Sequence, residues 1–468
     1  MMSLNQIRAW IAQAQPSVRL FGDGSLMVRR VHTDTRSIAE GDLFLALKGE
    51  QFDANQFLAT AKGNGALAAV AHSGLSDAGL PGVEVADTKL ALGAVAGGWR
   101  NQFDVPLIAV SGSNGKTTVT QMVASILQCW KGSAALATKG NLNNDIGLPL
   151  TLLRLDSAHR AAVVELGMNH PGEIAYLASL ARPTVALVNN AQREHLEFME
   201  SVEAVARENG SSIESLGEGG VAVFPSDDEF TPLWRSLAKA RQTFTFSTSA
   251  EADVTCSAEW QKNGWMVIAS TPNGMINYVL HVPGRHNLKN SLAAVACCLA
   301  IEVPMDAISE GLSLFAAVKG RSSFETLAIK GHSVVVVDDT YNANPDSMRA
   351  AVDVLAGLPP PRLLVLGDMG EVGLDGPQFH AEVGELSLQS GIDKVFTFGD
   401  QASIAASSFG AGQHFSDIND LADAVLSEAP KLGSILVKGS RFMKMERVVC
   451  ALRVAAHSAP KEDGSDAA

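Results

Sequence analysis

Short apolar runs that end in glycine, asparagine or aspartate recur along this chain, with stretches of helical apolar spacing between them. That alternation predicts α/β units built on largely parallel sheets. Residues 1–86 alternate apolar runs with turns, in GDLFLALKG (41–49), ALAAVAH (66–72) and VEVAD (83–87), and predict a small N-terminal α/β unit. A helical stretch near 89–102 then leads into LIAVSGSNGKTT (107–118). From there to about residue 318, strands and helices alternate through AAVVELG, TVALVNNA, VAVF, MVIAS and INYVLHVPG. Glycine and asparagine turns between the later strands predict a hairpin excursion on an otherwise parallel sheet. A third unit opens near Gly320 with HSVVVVDD (332–339), RLLVLGDMG (362–370), KVFTFGD (394–400) and SILVKGSR (434–441). Four such strands predict a second, doubly wound sheet with ligands at its carboxyl ends. The expected units are therefore 1–86, 87–318 and 319–456, and a polar tail over 457–468 is expected to be disordered.

A length of 468 residues fits about three domains. The 36 basic residues against 50 acidic ones give a net charge of −14, which argues against a general nucleic-acid or anionic-membrane surface. An anionic substrate must then be met by local donors. No apolar run reaches the ~18 residues of a membrane span; the longest, Leu292 to Ile301, stops at Glu302. The first residues, MMSLNQIRAW, lack a basic-then-apolar signal pattern. The five cysteines have no metal or disulfide-framework spacing, and Cys297 and Cys298 sit in an alanine-rich helical pattern. Buried thiols in a reducing compartment are the expectation, which points to the cytoplasm.

The chemistry centres on the glycine turn. The run Leu107 to Val110 enters it, and Val119, Met122, Val123, Ile126 and Leu127 follow at helical spacing. Strand, tight loop and helix in that order are the setting in which backbone amides and a helix dipole grip phosphate. The expected cradle is Gly112, Ser113, Asn114, Gly115, Lys116, Thr117 and Thr118, with Lys116 on the β/γ-phosphates and the Thr117 hydroxyl on Mg²⁺. The match is GxxGKTT, shorter than the full phosphate-loop pattern, because Val110 stands where the first glycine would. A nucleoside triphosphate is the expected ligand.

Other polar clusters fall at strand ends. Glu165, after AAVV, either holds Mg²⁺ or caps a helix; His195, after VALVNNAQRE, either ligates a metal or caps a turn. Thr138, Asn141, Asn143 and Asn144 form a set of uncharged donors suited to a sugar or diphosphate, though such a run is also an ordinary loop. Asn287 and Asn290, three apart at a helix start, either read a base edge or serve partly as a cap. Arg321 is placed to swing onto a γ-phosphate or to sit on the surface. DDTYNANPDSM, GDMGEVG and KGSRFMKME end neighbouring strands, so they are expected to converge on one crevice.

In this order the segments resemble the Mur ligase family of ATP-dependent amide-bond-forming enzymes over nearly the whole chain. The shared features are GSNGKTT, NNDIGLPLTLL, the Glu165 strand end, NN(x)4H, GRHNLKNSLAA and Arg321. VHTDTRSI, GDLFLALKGEQFD, DDTYNANPDSM, GDMGEVG and VKGSRFMKME are similar to the members that add the last peptide, rather than to other Mur ligases or folylpolyglutamate synthases. The resemblance implies three domains: a small N-terminal α/β domain for a uridine nucleotide, a central phosphate-loop ATPase-type parallel sheet and a C-terminal Rossmann-like doubly wound sheet. It implies ATP and Mg²⁺ as cofactors, UDP-N-acetylmuramoyl-tripeptide and D-alanyl-D-alanine as partners, an acyl-phosphate route and a monomer. By analogy Lys116, His195 and Arg321 are catalytic, and Thr117, Glu165 and His195 hold metal. Asn287 and Asn290 take the adenine, Arg321 the phosphates, and Asp338 or Asp339 the ribose. Asp34, Thr35, Arg36 and Lys48 fall in the uridine-nucleotide region, with Thr138, Asn141 and Asn144 near the sugar or its diphosphate. Tyr341, Asn342, Asn344, Lys438, Ser440 and Arg441 line the acceptor side. One departure stands out. Many members carry a lysine after the His195 segment, carbamylated to supply a carboxylate near a second metal, and that place falls on Asn209. A nucleotide-operated regulatory switch is the competing reading from another class.

Overall fold

The computed structural model describes residues 1–261 and 264–457, so the expected tail beyond His457 lies outside the described residues. In the N-terminal unit the apolar runs form a five-stranded sheet in the order Arg19–Phe21, Gly82–Glu84, Ala68–Ala71, Leu43–Leu45 and Val31–His32. Only the edge pair Arg19–Phe21 with Gly82–Glu84 is antiparallel. The helix predicted near 89–102 is Thr88–Arg100, capped by the Asp87 carboxylate on the amides of Lys89 and Leu90. Its Ala91, Leu92 and Val95 join the N-terminal core, while Ala96 joins the core of the next sheet.

The central sheet has six parallel strands, ordered Gln242–Phe246, Val221–Pro225, Val185–Val188, Leu107–Ser111, Ala161–Glu165 and Ala135–Ala137. We label Leu107–Ser111 β1, Ala161–Glu165 β2 and Val185–Val188 β3. Strand β1 lies between β2 and β3, and the chain leaves it first toward one side and later toward the other. That switch in direction opens a crevice beyond the carboxyl ends. Along β1, Ile108 and Val110 enter one core and Leu107 and Ala109 the opposite one, so both faces are covered. Helix α1, Lys116–Lys131, buries Val119, Met122, Val123, Ile126 and Leu127 against the first of these faces. The expected hairpin excursion is a separate antiparallel sheet of Thr255–Gln261, Gly264–Thr271 and Gly274–Leu280. Val267, Ala269, Ile276 and Tyr278 on its inner face extend the same core, which is why it need not join the parallel sheet.

The C-terminal sheet has six strands where the sequence pattern predicts four. Their order is Ser323–Ile329, β4 (His332–Asp339), β6 (Ser434–Lys438), β5 (Arg362–Gly367), Lys394–Phe398 and Gln413–Phe415. The two additional strands sit at the edges, and the Ser323–Ile329 edge is antiparallel. Edge strands face solvent on part of their surface, so they lack the continuous apolar run that marks an interior strand. Because β6 inserts between β4 and β5, the three predicted loops do meet at one end of the sheet.

Candidate active site

A cavity of about 1290 Å³ runs between the central and C-terminal sheets. It extends from Asp87, Lys89 and Leu90 at the N-terminal side, past the glycine turn, to Asp339 and Lys438. The turn itself needs its glycines. Gly115 has φ +83, and a Cβ there would come within 2.5 Å of Asn290 Oδ1. Gly115 also offers helix α1 no capping side chain, so the first-turn amides remain for an anion. Below the turn, Gly112 N donates to Asn209 Oδ1 at 2.7 Å, and Asn209 Nδ2 donates to Val205 O. Asn209 is therefore a buried brace under the loop, with its amide spent on backbone.

Lys116 Nζ donates to Gly112 O at 2.6 Å and Ser113 O at 2.8 Å, and meets Glu194 Oε2 at 3.2 Å. Thr118 lines the cavity, whereas Thr117 is buried one step around the helix. Glu165, at the end of β2, is almost wholly buried; its Oε1 accepts from Asn143 Nδ2 at 2.7 Å. Its Oε2 is buried without a hydrogen-bond partner, on the wall of the cavity. An orphaned carboxylate oxygen there is costly unless a cation meets it, so the residues fit a hard divalent ion.

His195 adopts a left-handed backbone, φ +52, which turns its ring into the cavity wall. Nε2 lies 3.5 Å from Glu194 Oε1, and Nδ1 lies 2.5 Å from Glu371 Oε2 of the GDMGEVG loop. Burial opposes charge on the ring, but hydrogen bonding to Glu194 and Glu371 outweighs it and lifts the imidazole to about 9. The ring thus carries a proton at neutral pH. A metal at Nε2 must displace that proton.

Several other residues converge as expected. Asn141, Asn144, Asn287, Asn290, Arg321, Tyr341, Asn342, Asn344 and Lys438 all line the cavity. Asn287 is not the helix cap, which is Gly284 at the start of Arg285–Leu299. Asn287 Nδ2 instead donates back to Pro283 O, and Asn290 Nδ2 donates to Asn287 Oδ1. The Arg321 guanidinium stacks 3.9 Å above the Tyr341 ring.

Others do not face the cavity. Successive side chains of β4 point to opposite sides, so Asp339 enters the cavity while Asp338 turns away to accept from Thr340 Oγ1. Arg441 is exposed and pairs with Glu446. Ser440 is buried, and its hydroxyl accepts from Gly370 N and donates to Ala343 O, tying two loops together. Thr138 is likewise buried, accepting from Glu165 N. Asp34, Thr35 and Arg36 form an Asp-capped turn away from the cavity, with Asp34 and Arg36 paired at 2.6 Å. Lys48 is exposed beside its N-terminal rim, its amide donating to Thr88 Oγ1.

The sequence pattern assigns no role to Glu194, Glu371 or Arg193, while Asn143, expected among the uncharged donors, lines the cavity and donates to Glu165. Arg193 binds Asp346 at 3.0 Å and Glu382 at 2.9 Å, joining the central and C-terminal units. Adjacency to His195 was the one local signal for Glu194, and the quoted GDMGEVG loop for Glu371.

The glycine turn, the orphaned carboxylate and the facing C-terminal loops make one crevice shared by two α/β units, the arrangement of a phosphate-loop enzyme. Residues 110–298 match the Mur ligase middle domain and residues 324–441 the Mur ligase, glutamate ligase domain. The chain is 43% identical to UDP-N-acetylmuramoyl-tripeptide–D-alanyl-D-alanine ligase of Escherichia coli (strain K12), over 90% of this chain and 93% of that protein. It is 37% identical to the ligase of that name from Haemophilus influenzae, over 93% and 96%. A crystal structure of MurF from Acinetobacter baumannii superimposes with TM-score 0.86 at 35% identity, covering 95% of this chain and 98% of that one. The MurF ligase of Thermotoga maritima in complex with ADP gives 0.82 at 26% identity, covering 93% and 99%. The chain belongs to the Mur ligase family.

Proposed function

We infer that this chain is an ATP-dependent, ADP-forming ligase. It joins D-alanyl-D-alanine to UDP-N-acetylmuramoyl-tripeptide, giving the pentapeptide precursor of peptidoglycan, and works in the cytoplasm as a monomer. The observation that carries the reading is the single cavity shared by Lys116 and Glu165 of the central unit and Asp339 and Lys438 of the C-terminal unit. Residues 1–86 take the uridine nucleotide, 87–318 ATP and 319–456 the acceptor.

The tripeptide's terminal carboxylate attacks the γ-phosphorus of ATP and ADP leaves. The dipeptide amine then attacks the acyl phosphate, and phosphate departs. Lys116 and the first amides of α1 stabilise charge on the transferring group, with Arg321 as a second cation. Asn287 and Asn290 flank the adenine, and Asp339 rather than Asp338 is placed for the ribose. Asn141 and Asn144 face the sugar or its diphosphate, while Tyr341, Asn342, Asn344 and Lys438 face the acceptor. Thr117, Glu165 and His195 would hold Mg²⁺. When bound, the ion would supply Lewis-acid neutralisation of phosphate charge.

Phosphate release should require both the nucleotide tripeptide and the dipeptide. A regulatory switch would instead release phosphate slowly with neither. Replacing D-alanyl-D-alanine by glutamate or meso-diaminopimelate should give no product. Product with either of these would move the chain to another branch of the family.

A further inference from the structure

The Glu194 carboxylate sits between two groups that the nucleotide reaction draws on. Its oxygens lie 3.2 and 3.3 Å from Lys116 Nζ, and Oε1 lies 3.5 Å from His195 Nε2. Its side chain is nine-tenths buried, and it lines the cavity. For Lys116 to meet a phosphate, Nζ must turn from Glu194 and from the Gly112 and Ser113 carbonyls. A buried carboxylate that loses its cation is left with a large desolvation penalty, so another cation must take the ammonium's place.

A second feature points to the same ion. Glu165 lines this cavity from β2, on the other side of β1, and its Oε2 is buried without a partner. Asn209, beneath the loop, is a neutral amide and has both ends spent, on Gly112 N and Val205 O. On the His195 side of the loop, Glu194 is thus a ready source of anionic oxygen for a hard cation.

We propose that Glu194 is a metal-ligating carboxylate of the loaded site, passing from Lys116 to a divalent cation as Lys116 engages the nucleotide. The proposal rests on the reading of this cavity as a metal–nucleotide site. It adds a protein carboxylate to the set of Thr117, Glu165 and His195, and it makes Lys116 and the cation alternative partners of one side chain.

The test is binding of Mn²⁺ to the full-length protein with ADP, followed by electron paramagnetic resonance, for the wild type, Glu194→Gln and Glu194→Asp. Glu194→Gln should raise the Mn²⁺ Kd at least tenfold, and Glu194→Asp should raise it less. In EDTA, ADP should bind Glu194→Gln as tightly as the wild type or more tightly, because Lys116 is released. A brace that only shapes the loop would instead weaken ADP equally with and without metal, and that result would overturn the proposal. So would a Mn²⁺ Kd within twofold of the wild type in both variants. If Glu194→Gln fails to fold, the shorter but still charged Glu194→Asp carries the same comparison. Failure of the wild type to bind ADP at all would instead sink the nucleotide-site reading itself.

Discussion

Asn114 in the glycine turn and Asn344 in the C-terminal unit exchange amide hydrogen bonds, Asn344 Nδ2 to Asn114 Oδ1 at 2.9 Å and Asn114 Nδ2 to Asn344 Oδ1 at 3.2 Å. Asn344 also caps the helix Pro345–Ala356, accepting from Ser347 N at 2.8 Å. One side chain therefore starts a helix and fixes its own loop against the glycine turn.

Asn344→Ala removes both contacts. Loss of the cap alone is worth about 1 kcal/mol, and typical caps span ~0.5–2 kcal/mol. The denaturant midpoint of the whole chain should fall accordingly, and ligation should fall further than stability does. An unchanged midpoint would show that the helix start is held by Pro345 and Asp346 instead.

Arg193 is a charged tie between the two units beside that of His195 with Glu371, forking to Asp346 and Glu382. Arg193→Ala leaves both carboxylates without their shared cation. Small-angle scattering should show a larger radius of gyration for the variant than for the wild type. Adding a non-hydrolysable ATP analogue with the nucleotide tripeptide should restore compaction, since ligands that touch both units favour the closed arrangement. Equal radii for variant and wild type would mean that other contacts hold the units together.

Lys116→Ala should abolish ligation with the fold intact. It removes a cation aimed at developing phosphoryl charge, and comparable preorganised donors are worth about 3–4 kcal/mol, roughly 10²–10³ in rate. Near-normal turnover in a variant that melts normally would refute the phosphate-loop assignment.

Lys438 is buried and pairs with the mostly buried Asp339 at 2.6 Å. Burial raises the Asp339 carboxyl, but the charge and hydrogen bond of Lys438 prevail and hold it below the usual range. Because its folded value is depressed, its contribution is present above the unfolded carboxyl value, about 3.9, and is lost as pH falls below it. Asp339→Asn strands Lys438 as an unpaired buried charge, a change that typically costs about 3–5 kcal/mol. Urea melts should show that deficit at pH 7 and a shrinking gap between variant and wild type below about pH 4. A gap that stays constant down to pH 2 would contradict the pairing.

Ligation should be indifferent to stripping and restoring bicarbonate at fixed pH and ionic strength. A carbamate needs a neutral lysine amine, whereas Asn209 holds an amide already bonded to Gly112 N and Val205 O. Reproducible rescue by bicarbonate would show that a lysine elsewhere takes up CO₂ beside the metal.

Local chemistry made the phosphate loop legible: an apolar strand, two glycines and a helix with one apolar face are each written in consecutive residues. The same holds for the interior strands of the parallel sheets, which are continuous apolar runs because both faces are covered. Alternation along β4 was equally present in the sequence, yet it left Asp338 and Asp339 as equal choices. Periodicity says that the two point apart but not which side the cavity lies on.

By itself, then, the sequence determined where the glycine turn falls between strand and helix, which strands end in polar loops and which family the chain belongs to. Tertiary structure alone decided that Glu371 meets His195, that Asn114 meets Asn344 and that Asn209 is a brace rather than a cavity residue. Those pairings join residues 176, 230 and 97 positions apart or depend on the packing of one helix under one turn. The strand insertion that brings β6 between β4 and β5, and the seating of one sheet against the other, set such distances. Hydrophobic burial fixes that arrangement without regard to which polar side chains it brings together.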